Sequence, residues 1–245
     1  VLAYIRCLMI TLLFCLPAHS TATATGNSNA PEDDSASPSQ LSESHAGHWT
    51  MPSSVVLIDA GHGGIDGGAT AGGVMEKDIN LAVAKKLYLL LNSQGITAVL
   101  NRTDDYALSD DNRWHISGSR HRRDLSQRRQ LTEEIPTQLL VSLHVNWTPD
   151  RSERGPLVLH QSSGESALLA FCIQDTLNRQ QRTRFLPREG KPFYLLRRVY
   201  QPAVIVEMGF VSNVDDRTML TDPRGQLQIA SAIASGIRQY KLITK

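Results

Sequence analysis

Val55–Gly64, VVLIDAGHGG, joins an apolar run to a glycine-rich turn that holds one histidine. Val55–Ile58 are four apolar residues that read as a buried strand, and Gly61, Gly63 and Gly64 break it sharply. The break leaves His62 at the carboxyl end of the strand, the edge where open α/β sheets bind their ligands. Glycines on both sides keep Cβ atoms away and let a ligand come close to the backbone. A histidine so placed is suited to hold a metal, and the rest of the chain is searched for its partners.

Outward from this turn, strand and helix patterns alternate. Glu76–Gln94 carries Ile79, Val83, Leu87 and Leu90 on one stripe and predicts a helix, with Gly95 suited to its C-terminal cap. Thr97–Leu100, Leu139–Leu143, Pro156–His160, Phe193–Leu196 and Ala203–Val206 read as strands. Asp124–Glu134, with Asp124 as N-cap, and Glu165–Gln181 read as helices. Asp222 as N-cap and Pro223 at the first helical position open a last helix, whose expected buried face is Leu227, Ala230, Ala234 and Ile237. The alternation predicts a single α/β domain with a twisted, mostly parallel, mixed sheet and helices on both faces. Residues 104–123 resist the scheme. They are long, polar and rich in arginine, and they carry Trp114, so they read as a solvated insertion or as a contact for an anionic glycan or a partner.

Residues 1–54 do not read as core. Arg6 precedes the apolar run Cys7–Leu16, and Pro17–Ser20 supplies small residues at a plausible cleavage site. Residues 1–24 are therefore expected to be a signal peptide, since about 10 apolar residues are too few for a comfortable span, or an uncleaved N-terminal anchor, since Val1–Ile5 is also apolar. Phe14 stands before Cys15 where a lipid-anchor signal wants a small residue. Residues 25–54, rich in Ser, Thr, Ala, Asn and Pro, predict a flexible linker, with no metal role assigned to His45 and His48. The domain then runs from 55 to 245. It keeps a single cysteine, Cys172, expected in the core, and so has no disulfide. Its 24 basic and 20 acidic residues leave a net charge of +4, too mild to demand a nucleic acid and compatible with an anionic wall polymer.

Three apolar strands end in a residue with metal or acid–base chemistry: His62, His144 and Glu207. Glu76 opens the first helix. Parallel strands place their carboxyl ends on one edge, so the four can converge. Two histidines and a carboxylate form a catalytic zinc set with a fourth position for water, and a further glutamate is the acid–base group such a site needs. There is no HExxH helix, which excludes the thermolysin-like plan. Glu76 follows His62 by 14 residues, and His144 follows Glu76 by 68.

With this spacing, the motifs IDAGHGGIDGGA (58–69), EKDINLAVAKKL (76–87), NRTDD (101–105), SLHVN (142–146) and VEMGFVSN (206–213) resemble the zinc-dependent N-acetylmuramoyl-L-alanine amidases of the amidase-3 group. The resemblance covers 55–240. It implies one Zn2+ per chain on His62, Glu76 and His144, with Glu207 as the catalytic glutamate. It implies hydrolysis of the amide between the muramic lactyl group and L-alanine of the stem peptide. DDYALSD (104–110) and RRDLSQRRQL (122–131) resemble the germination-type, spore-cortex subgroup, for which an activating protein partner is known in some members. That subgroup implies an exported enzyme of the cell wall, acting in the forespore intermembrane space during cortex maturation. The chain departs from the group in residues 104–123 and at Asn101, where Thr is usual. Asn101 and Asn146 both begin N-glycosylation-like triplets, discounted because the resemblance is to bacterial enzymes. Three other readings stand beside this one: general wall turnover, a non-catalytic peptidoglycan-binding module, and a zinc carboxypeptidase. The module would not need all four residues. The peptidase would want a tight His-x-x-Glu pair where Ile65 stands.

Overall fold

A computed structural model describes residues 55–110 and 117–244; the expected signal peptide, the linker with His45 and His48, and Trp114 lie outside the described residues. The elements in chain order are β1 (Val55–Ala60), β2 (Thr70–Ala71), β3 (Val74–Met75), α1 (Glu76–Ser93), β4 (Ala98–Leu100), a 3-10 turn (Leu108–Asp110), α2 (Arg120–Glu134), β5 (Thr137–Asn146), β6 (Leu157–His160), α3 (Gly164–Gln181), β7 (Arg188–Glu189), α4 (Tyr194–Arg198), β8 (Ala203–Phe210), α5 (Val214–Thr221) and α6 (Pro223–Ile243).

Six strands form one sheet in the order β4-β1-β5-β8-β6-β7, and β2 and β3 make a separate hairpin. β4, β1, β5 and β8 run parallel, while β6 is antiparallel to β8. The sheet is mixed and mostly parallel, as expected. The central runs Val56–Ile58, Leu139–Val141 and Ala203–Val206 are apolar without alternation because both faces of the sheet are covered there. Val56, Ile58, Leu139, Val141, Val204 and Val206 pack in one core with α1, α3 and α6, through residues such as Val83, Ile173 and Ile233. Leu57, Leu140 and Ile205 face a smaller core closed by Leu195, Leu196 and the partly buried Leu125 and Leu131 of α4 and α2. Cys172 is buried in the larger core, as expected.

Several elements differ from their reading. Phe193–Leu196 is not a strand. Residues 194–198 coil into α4, with Arg197 and Val199 N–H donating to the carbonyls of Phe193 and Leu195. This turns Leu195, Leu196 and Val199 onto the sheet face, and the edge is taken by the two-residue β7. α2 starts four residues before Asp124, capped by the Ser119 hydroxyl accepting from Arg122 N–H. Its first turn holds no apolar residue, so no stripe announces it. On α6, Leu227 is 47% exposed, and Ile229 and Ile233 join Ala230, Ala234 and Ile237 on the buried face. The N-cap is as read: the Asp222 carboxylate accepts from Gly225 N–H at 2.8 Å. β5 and β8 do not end at His144 and Glu207. β5 continues to Asn146 and β8 to Phe210, so these two residues sit within their strands near the carboxyl edge. The start of the polar segment at 104 is not a free insertion either. Asp105 accepts from Gly64 N–H at 2.7 Å and pairs with Lys77 at 2.6 Å.

Candidate active site

β1 ends at Ala60, and Gly61 N–H still donates to Leu143 O at 3.1 Å, so the turn starts anchored to β5. His62 then takes φ 62°, a left-handed conformation that costs a residue with Cβ roughly 1 kcal/mol or more. Its neighbours are glycines where the space requires it. A Cβ at 61 would run into the His144 imidazole, and one at 68 (φ 66°) would lie 2.5 Å from Glu76 Oε2. The β2–β3 hairpin leads into α1 and delivers Glu76 at its first position. No side chain caps this helix; the buried Glu76 carboxylate instead accepts from Ala69 N–H at 2.8 Å.

These placements bring His62, Glu76 and His144 together, with one potential ligand atom from each lying within 4.8 Å of the others. His62 Nε2 is 3.2 Å, and His144 Nδ1 2.9 Å, from Glu76 Oε1. Val145 N–H at 3.0 Å and Asn80 Nδ2 at 3.3 Å reach the same oxygen. Four donors thus crowd a carboxylate oxygen that has two lone pairs. Ligand atoms about 2.0–2.1 Å from a tetrahedral zinc lie roughly 3.3 Å apart, close to the separations found here. A divalent cation shared by the three side chains relieves the crowding, so the donor set fits a metal of zinc type.

Electrostatics agree. Burial opposes charge on His62, but Glu76 and Asp66 outweigh it and push its pKa up to about 9. Burial opposes charge on Glu76 as well, yet hydrogen bonds from His144 and His62 hold its carboxyl well below the usual range. In the metal-free protein the cluster therefore keeps positive charge against a carboxylate, and a metal ion can replace that charge. His62 Nδ1 meets Asp66 Oδ2 at 3.0 Å, the outer carboxylate that fixes ring orientation in metal sites.

Glu207 on β8 is the register partner of His144 on the adjacent parallel strand. It is 9% exposed. Burial raises its pKa to about 6; His144 opposes the rise, Glu76 adds to it and His62 opposes it. The structure thus brings together all four residues singled out from the sequence.

Asp66, Asn80 and a buried ionic cluster next to the site carry no motif in the sequence that marks them. Asp59 accepts from Arg128, Asn101 and Ser142, and Asp124 pairs with Arg128 at 2.6 Å. Asn101 also accepts from Ala60 N–H at 2.9 Å, so its amide is committed to the strand end. A polar residue in the strand, Asp59, was the available signal. Asn146, near the end of β5, accepts from Trp147 N–H at 2.7 Å and organises the following turn.

Comparison with known proteins places the chain in a family. The chain matches the family Amidase_3, N-acetylmuramoyl-L-alanine amidase, over residues 56–239. It is 33% identical to the germination-specific N-acetylmuramoyl-L-alanine amidase of Bacillus subtilis, across 78% of this chain and 82% of that protein. Among solved structures, it resembles the CwlD amidase of Clostridioides difficile in complex with the GerS lipoprotein. The TM-score is 0.73 and the identity 32%, covering 77% of this chain and 98% of that one. The catalytic domain of CwlV from Bacillus (Paenibacillus) polymyxa var. colistinus superposes with a TM-score of 0.66 at 30% identity, covering 78% and 99%. The chain belongs to the Amidase_3 family of N-acetylmuramoyl-L-alanine amidases.

Proposed function

We propose that this amidase cleaves the bond between the lactyl carbonyl of N-acetylmuramic acid and the L-alanine nitrogen of the stem peptide, with one zinc ion on His62, Glu76 and His144. Glu207 serves as acid–base group. The observation that carries the reading is the convergence of three ligand atoms within 4.8 Å beside a buried glutamate. Bound zinc supplies Lewis acidity, lowering the pKa of water and polarising the amide carbonyl.

The rest is done by the chain. Glu207, whose pKa burial raises to about 6, takes a proton from the attacking water and returns a proton to the leaving L-alanine nitrogen. Water oxygen joins the lactyl carbon, the C–N bond breaks, and the products are a carboxylate and a free amine. Asp66 holds the His62 ring, and Val145 N–H and Asn80 orient Glu76.

The wider setting follows from the relatives. An exported enzyme acting on spore-cortex peptidoglycan is supported by the germination-specific relative. An extracytoplasmic protein partner is part of this reading, because the related CwlD was solved with a lipoprotein bound. General wall turnover is the second reading, favoured by the 29% identity to LytC and LytH.

Purified protein is incubated with intact sacculi, with and without added zinc, and the products are read by mass spectrometry. Intact free stem peptides are expected; single amino acids would indicate a peptidase and overturn the reading. Glu207→Ala is expected to keep its zinc and lose about 10²–10⁴-fold in hydrolysis. Full activity in that variant removes Glu207 from the mechanism.

A further inference from the structure

Where β1 ends, its carbonyls leave the sheet ladder and must find other donors. Ala60 O, Gly61 O and His62 O are three consecutive acceptors, and two guanidinium groups serve them all. Ala60 O accepts from Arg102 Nε at 3.1 Å and from Arg128 Nη1 at 3.0 Å. Gly61 O accepts from Arg102 Nη2 at 3.2 Å. His62 O accepts from Arg128 Nη2 at 2.8 Å.

Arg102 also donates from Nη2 to Lys77 O at 2.9 Å, in the first turn of the helix that begins with Glu76. One planar fork therefore spans the backbone next to two of the three metal-binding side chains.

The charge balance within the pair is uneven. Arg128 lies between Asp59 and Asp124. Arg102 is 1% exposed and, among the described residues, has no carboxylate within ion-pair distance; its hydrogen bonds all go to carbonyls. Burying a guanidinium against neutral acceptors is costly, because the charge leaves water with no opposite charge to meet it. A fold that needed only filling there would use an apolar side chain. What the fork supplies is direction: donors at fixed angles, which a lysine cannot reproduce.

We propose that Arg102, seconded by Arg128, is a positioning residue: it clamps the 60–62 carbonyls to the first turn of α1 and so holds His62 in its left-handed conformation with Nε2 turned to Glu76. The clamp sets metal affinity without touching metal or substrate. The proposal rests on the zinc reading above.

The test compares wild type, Arg102→Lys and Arg102→Ala as full chains. Zinc affinity is measured by chelator competition and ligand geometry by the Co2+ visible spectrum. Leu139→Ala, in the core at the far end of β5, serves as a variant destabilised without touching the turn. Expected are a 10–100-fold loss of zinc affinity and an altered cobalt spectrum in Arg102→Lys, the loss typical of outer contacts in metal sites. Millimolar guanidinium, but not methylammonium, should restore affinity to Arg102→Ala. Leu139→Ala should bind zinc like wild type. A folded Arg102→Lys with wild-type affinity and spectrum overturns the clamp, as does an equal loss in Leu139→Ala. If Arg102→Ala does not fold, the lysine variant alone decides. Wild-type protein that binds no zinc overturns the metal reading, and the clamp with it.

Discussion

Asp59 and Glu76 are buried carboxylates on either side of the same turn, each ringed by donors. Around Asp59 the donors are Arg128, the Asn101 amide and the Ser142 hydroxyl. Burial works against its charge, but Arg128 foremost holds its pKa below 3.8. None of these partners gives up its proton near neutral pH, so the cluster is closed. Around Glu76 two of the donors are imidazoles, side chains able to ligate a metal through a ring nitrogen. A buried carboxylate ringed by donors is thus a fixed support in one place and a candidate metal ligand in the other, and the difference lies in whether its partners can also ligate a metal. The closed cluster lies under the open one, joined to it by the carbonyls of the 60–62 turn.

The comparison can be broken first at its closed side. Asp59→Ala leaves Arg128 with half its charge compensation, and unfolding in urea is expected to show a loss of about 3–5 kcal/mol. The sign with pH follows from the depressed pKa. Asp59 contributes stability above its unfolded value of 3.8 and loses it as pH falls through the folded value. The gap between wild type and variant should therefore close below about pH 4. A gap independent of pH would mean that Arg128 does not pair with an ionised Asp59.

The open side predicts the opposite sign. The Glu207 pKa is raised from 4.5 to about 6, so its neutral form is the one the fold favours. That stability is complete below 4.5 and lost as pH rises through 6. In metal-free protein, Glu207→Gln is expected to be about 2 kcal/mol more stable than wild type at pH 7.5 and equal to it near pH 4. Thermal unfolding at the two pH values reads this; a destabilised variant at pH 7.5 would make Glu207 a structural residue.

The smallest effect is at the join between metal site and scaffold. Asp66→Asn keeps the shape but weakens the hold on His62 Nδ1, and zinc affinity should fall about tenfold. Unchanged affinity would leave His62 oriented by its backbone alone.

The sequence was most legible where one pattern had one physical meaning. The strand at 55, the helix at 76 and the Asp222-Pro223 start of α6 all carry local signals of period or cap. His144 and Glu207 were legible as polar groups after apolar runs, His62 by its glycine-rich turn and Glu76 by its place at a helix start. Phe193–Leu196 was misread because four apolar residues fit a strand or a short helix equally well, and packing on the sheet chose the helix. The start of α2 left no trace, since its first turn is polar and its cap is an ordinary serine.

The sequence alone singled out His62, Glu76, His144 and Glu207 as candidates and predicted a mostly parallel sheet with its strand ends on one edge, because β–α alternation and polar residues at the ends of apolar runs are local patterns. Only the tertiary structure decided how they meet: that Glu207 faces its register partner His144, that Asp66 holds His62, and that Arg102 and Arg128 serve the carbonyls of the turn. All but the His62–Asp66 pair join residues some forty or more positions apart. They depend on strand register and on a left-handed turn, neither of which any local pattern of side chains encodes.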